Sequence, residues 1–153
     1  MIQPETAKAL VCLGAFCSFG LAALGSAIGC GLAAASAIGA WKRCYAQGKN
    51  APFQLTILTG VPMSQTFYGM VLMNSIVTIG VQYWMAALAL GILGGLGIGA
   101  SAAYQGRAAA GACDSFAETN QGFANNLLAL GVVETIAIFV MVFGRMFIGK
   151  IGG

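Results

Sequence analysis

LLALGVVETIAIFVMVF, residues 127–143, is apolar at nearly every position. A run of this kind reads as a lipid-spanning helix, which takes about 20 mainly apolar residues. Glu134 lies inside it, fifteen uncharged residues after Glu118 and ten before Arg145. A carboxylate at the centre of a bilayer costs roughly 3 kcal/mol or more unless it is protonated, paired with a cation or open to water. Arg145 is eleven residues further along the same helix, roughly 16 Å away at about 1.5 Å per residue, and cannot neutralise it. The stretch sets two questions: how many such spans there are, and what answers the acid.

Composition answers the first in outline. The chain has 153 residues, 59% hydrophobic and only 7% charged, against about 25% charged in soluble domains. So few charges cannot cover a soluble surface, which makes the solvent lipid. The net charge of +3 is dispersed, with no Lys/Arg cluster for nucleic acid. There is no histidine, and Cys12, Cys17, Cys30, Cys44 and Cys113 form no C-x-x-C pair. They read as small hydrophobes, which leaves no thiolate–imidazole metal centre. No G-x-x-x-x-G-K-[ST] motif offers a nucleotide site, and neither a catalytic residue nor a cofactor is expected. "MIQPETAK" at the N-terminus carries Glu5 and Lys8, and the apolar run after it reaches Trp41. That run is too long for a signal-peptide core of about 7–15 residues, so it reads as a retained transmembrane helix.

Charges mark the span limits. Lys8 and Lys42 bracket 33 uncharged residues, enough for one span; Lys49 and Arg107 bracket 57, enough for two. "GVQYW", Gly80 to Trp84, supplies the break, a glycine with two aromatics of the kind that settle at membrane interfaces. The prediction is an all-α integral membrane protein with four helices, roughly 6–41, 53–79, 85–113 and 122–150. The first connection carries Lys42, Arg43 and Lys49, whereas the second carries no charge. The positive-inside rule then puts the first and third loops in the cytoplasm and both termini outside.

The chain also repeats. "LGSAIGCGLAAASAIG", Leu24 to Gly39, resembles "GASAAYQGRAAAG", Gly99 to Gly111. "VPMSQTFYGMV", Val61 to Val71, matches "LGVVETIAIFV", Leu130 to Val140, and pairs Gln65 with Glu134. This divides the chain into two tandem hairpins, 1–79 and 80–153, in one orientation, a parallel duplication. The first and third helices place Gly25, Gly29, Ala33, Ala37 and Gly91, Gly95, Gly99, Ala103 at four-residue steps. Such faces let backbones approach closely, either as ordinary helix packing or as the inner wall of a ring of protomers. The second and fourth helices are bulkier, with Phe53, Phe67, Tyr68, Phe123, Phe139, Phe143 and Phe147.

Polar atoms at the depth of Glu134 are Ser64, Gln65 and Tyr68 on the second helix and Ser101, Tyr104 and Gln105 on the third. Pro62 removes the N–H that would reach the Leu58 carbonyl and distorts that turn. Oxygen-rich surroundings suit a hard cation, whereas a proton carrier needs little beyond the carboxyl group.

"PMSQTFYG", "YQGRAAAG" and "GVVETIAIF" together resemble the V-type ATPase proteolipid, the duplicated four-helix subunit of a homo-oligomeric rotor ring. The combination is most similar to the K-type proteolipid of bacterial sodium-transporting V-ATPases. The resemblance implies that Na+ is carried by the Val61 carbonyl, the Ser64 hydroxyl and the side chains of Gln65, Gln105 and Glu134. Tyr68 would hydrogen-bond the glutamate and help close the site. It implies as partners identical copies of this chain, membrane lipid, a stator protein with an essential arginine, and a central stalk on loops 42–50 and 114–121. It also implies a bacterial plasma membrane and ATP hydrolysis or synthesis on distant soluble parts of the complex. Competing readings are the same rotor component with H+ as cargo, a small four-helix secondary exchanger of cations or drugs against protons at Glu134, and a structural proteolipid without a transport cycle.

Overall fold

The computed structural model describes residues 2–152, and the elements within them are all helical. α1 runs Pro4–Ala46, α2 Gln54–Gly60, α3 Ser64–Ile76, α4 Trp84–Thr119 and α5 Phe123–Gly152. A 3₁₀ turn at Val61–Met63 joins α2 to α3, and another at Val81–Tyr83 leads into α4. Three unbroken helical segments, Pro4–Ala46, Val81–Thr119 and Phe123–Ile151, are long and apolar enough to cross a membrane. The chain is an integral membrane protein. The expected second span is the composite Gln54–Ile76, whose α-helical pieces of 7 and 13 residues are each too short to cross alone. Pro62 explains the break, because without its N–H the ladder tightens into the 3₁₀ turn.

Helix ends overrun the predicted limits for one physical reason. Charge marks where lipid ends, but Ala, Arg and Glu are good helix formers in water too. Lys42 and Arg43 therefore lie on α1, and Asp114 to Thr119 on α4, not in loops. α4 stops where Asn120 adopts a left-handed φ of 52° and Gly122 follows at 76°.

α1 and α4 make the most extensive contact in the molecule. It advances in step: Gly14 lies against Ala87, Gly25 against Gly99, Gly29 against Gly106, and Ser36 Oγ donates to the Ala110 carbonyl at 2.7 Å. The two helices are therefore parallel. A β-carbon at Gly25 would collide with the Gly99 backbone, and one at Gly106 with the Gly29 backbone. Glycine is what lets these backbones touch. On α1, Gly25, Gly29, Ala33 and Ala37 are all buried as expected. On α4 the buried line leaves the predicted stripe after Gly99 and passes to Ala102, Gly106 and Ala109, with Ala103 only half-buried. Four-residue steps overshoot a period of about 3.6, so a long contact must periodically step back by three.

α3 runs back along α1, with Gly69 against Ser18 and Ala22, and Pro62 against Gly29. α5 runs back along α4, where Ser101 Oγ donates to the Val133 carbonyl at 2.8 Å. Leu72, Ile76 and Ile98 pack between the helices, while Phe67, Phe139, Phe143 and Phe147 face outward. Phe123 instead turns in against Phe116, ring centres 5.7 Å apart. α1 exposes Leu13, Phe16, Leu24 and Ile28 on another side, so apolar surface bounds the molecule on more than one face.

Candidate ion-binding site

Glu134 sits midway along α5, half-buried and facing α3 and α4. Each of its oxygens receives one donor. The Tyr68 hydroxyl donates to Oε1 at 2.7 Å, and Gln105 Nε2 donates to Oε2 at 3.3 Å. The same Gln105 amide donates to the Leu130 carbonyl at 2.9 Å, one helical turn before the acid. Ser101 holds the Val133 carbonyl, so two α4 side chains fix the α5 backbone beside the carboxylate.

Behind the acid the network continues. Gln65 and Gln105 are both fully buried, and Gln65 Nε2 donates to Gln105 Oε1 at 2.7 Å. That bond spends the amide's donor side on α4 and leaves Gln65 Oε1 facing Ser64. Ser64 Oγ lies 3.2 Å from Gln65 Oε1 and 3.2 Å from the Val61 carbonyl. A hydroxyl has one proton, so it serves one of these oxygens at a time. Ser64 Oγ thus stands between two acceptor oxygens with one side-chain proton to share. Neighbouring ligands of a cation held at about 2.4 Å lie roughly 3.4 Å apart in an octahedral shell, so this spacing suits a small hard cation. The carbonyl that Pro62 leaves without its i+4 donor is that of Leu58, whereas the Val61 carbonyl accepts the Ser64 backbone N–H at the 3₁₀ turn.

The structure brings Val61, Ser64, Gln65, Tyr68, Gln105 and Glu134 into one connected cluster. Gln105 touches the site with its amide nitrogen toward the acid, and its oxygen is engaged by Gln65. It therefore ties the carboxylate to the oxygen group as well as offering a second lone pair. Tyr104, at similar depth in sequence, points away and is 64% exposed, with the Arg107 guanidinium 5.9 Å over its ring. The Leu130 carbonyl is invisible to residue-type reasoning, because a backbone group carries no such signal. A clasp at one end of the bundle is equally hidden, where Arg43 pairs with Asp114 at 2.7 Å and Glu118 at 2.5 Å. Charge spacing assigns 42–50 and 114–121 to separate loops and gives no hint that they meet.

Residues 85–147, covering most of α4 and α5 and including Gln105 and Glu134, match the family model of the ATP synthase C-subunit. The second half of the chain is therefore similar to that subunit. No curated protein matches the chain.

Proposed function

We propose that this protein is a rotor-ring component of a V-type rotary ATPase that carries Na+ on Glu134. The observation that carries the reading is a carboxylate hydrogen-bonded on both oxygens and linked through two buried amides to the Ser64 hydroxyl. Similarity of residues 85–147 to the ATP synthase C-subunit supports the rotary class. The apolar outer faces support four spans packed in a ring of identical copies. Surplus oxygens around the acid favour a metal cation over a proton as cargo.

In this reading Na+ is drawn to Glu134, the Val61 carbonyl, Ser64, Gln65 and Gln105. Its charge offsets the carboxylate, and the loaded protomer can then face lipid. Emptied at the stator, the same carboxylate cannot enter lipid at tolerable cost, which rectifies rotation. Tyr68 and Gln105 hold the carboxylate in place while the ion leaves, so little reorganisation accompanies reloading.

The test is modification of Glu134 by a hydrophobic carbodiimide in the purified assembly. Protection that saturates with Na+ at constant pH is the expected result, and Glu134→Gln abolishes labelling and coupled ion movement together. A labelling rate that follows pH alone and ignores Na+ assigns the cargo to protons. A monomer or dimer in place of a large detergent-resistant oligomer returns the chain to the small-exchanger reading.

A further inference from the structure

Away from Glu134, toward the end of the bundle opposite the Arg43 clasp, an open cleft of about 510 Å³ lies between α3 and α5. Its polar lining is Asn74, Ser75 and Thr78 from the α3 side and Arg145 from α5; Val71 and Ile148 add apolar wall. Arg145 is exposed, and the ion pairs among the described residues both belong to Arg43. Eleven residues separate Arg145 from Glu134, about 16 Å along the helix, while the hydrocarbon core extends only about 15 Å from its centre. With Glu134 at mid-membrane, the guanidinium stands where phospholipid phosphates begin.

The donors and acceptors in the cleft are sorted. Ser75 and Thr78 spend their hydroxyl protons on the Val71 and Ser75 carbonyls, at 3.1 and 2.8 Å, and so present oxygen lone pairs. Arg145 has donors only, in a planar fork that fits two phosphate oxygens. Asn74 is exposed and supplies further amide donors. The cleft therefore offers cationic donors beside neutral acceptors, open to lipid along an apolar wall.

We propose that this cleft binds the phosphate of a membrane phospholipid whose headgroup itself donates hydrogen bonds. Arg145 and Asn74 take the phosphate; Ser75 and Thr78 accept from the headgroup. The inference rests on the membrane placement of Glu134 and not on the identity of the transported ion.

Native mass spectrometry of the detergent-purified full chain tests it, with phosphatidylglycerol, phosphatidylcholine or inorganic phosphate added. Phosphatidylglycerol has headgroup hydroxyl donors and phosphatidylcholine has none. The wild type should retain phosphatidylglycerol at roughly five-fold lower concentration than phosphatidylcholine, the size of one neutral hydrogen bond. Ser75→Ala combined with Thr78→Val should erase that preference, Arg145→Gln should weaken retention of both lipids, and Lys150→Gln should leave both intact. Equal retention of the two lipids by the wild type overturns the proposal, as does unchanged retention of phosphatidylglycerol in Arg145→Gln. Displacement of the lipid by inorganic phosphate at equal concentration also overturns it, by making this a free-anion site. None of these readouts depends on Na+, so failure here and failure of carbodiimide protection are separately visible.

Discussion

Glu134 is held by an asymmetric pair of donors, a short bond from Tyr68 at 2.7 Å and a longer one from Gln105 at 3.3 Å. The phenol is the stronger of the two and comes from a different helix. Removing it costs the bound state about 1.5 kcal/mol, the low end for a bond to a charged group. Tyr68→Phe should therefore raise the Na+ concentration giving half-protection of Glu134 roughly ten-fold, with the assembly still intact on gel filtration. An unchanged half-protecting concentration would make Tyr68 a bystander. Much of this site is legible in the sequence, because a polar side chain inside an apolar run has few reasons to be there. Glu134, Gln65, Ser64, Tyr68 and Gln105 all stand out on that ground. What is not legible is direction: Tyr104 and Gln105 are adjacent, yet about 100° of helical rotation sends one outward and the other to the acid.

Among the elements, the break between α2 and α3 matters most to the site. Pro62 tightens the chain at Val61–Met63, and Ser64 Oγ lies 3.2 Å from the Val61 carbonyl at that turn. Pro62→Ala should let α2 and α3 fuse into one regular helix, in which the Val61 carbonyl accepts the Gln65 N–H in place of the Ser64 N–H. Helix content by circular dichroism should hold or rise slightly, while Na+ protection weakens about ten-fold, the loss of one ligand-scale interaction. Preserved Na+ affinity would show the turn to be only a kink. The α1–α4 contact makes a second prediction. Gly25→Leu drives a side chain into the Gly99 backbone and should abolish the folded assembly in detergent, whereas Gly111→Ala, with nothing within 4 Å, should be tolerated. Recovery on gel filtration separates the two. The parallel run of α1 beside α4 is readable as a repeat of small residues. The drift of the contact from the Ala103 line to Ala102 and Gly106 is not, because helical period and neighbour shape settle it jointly.

Across the whole molecule, the two halves are tied at one end by Arg43 reaching Asp114 and Glu118. All three side chains are substantially solvent-exposed, at 40%, 57% and 61%, so the clasp contributes modestly and is open to screening. Arg43→Ala should lower the thermal midpoint at low ionic strength and have almost no effect in about 1 M salt, where the screening length falls to about 3 Å. A drop that persists in high salt would give Arg43 a packing role. The other molecular-scale feature is arithmetic. The repeat read in the sequence pairs Glu134 with Gln65, an uncharged amide. In the proposed rotor each copy would then supply two hairpins of circumference but a single charge. For a fixed number of ATP per revolution, fewer cargo ions share the same work, so each is lifted against a steeper gradient. In the proposed rotor, a single carboxylate per copy would act as a low gear, trading throughput for thrust.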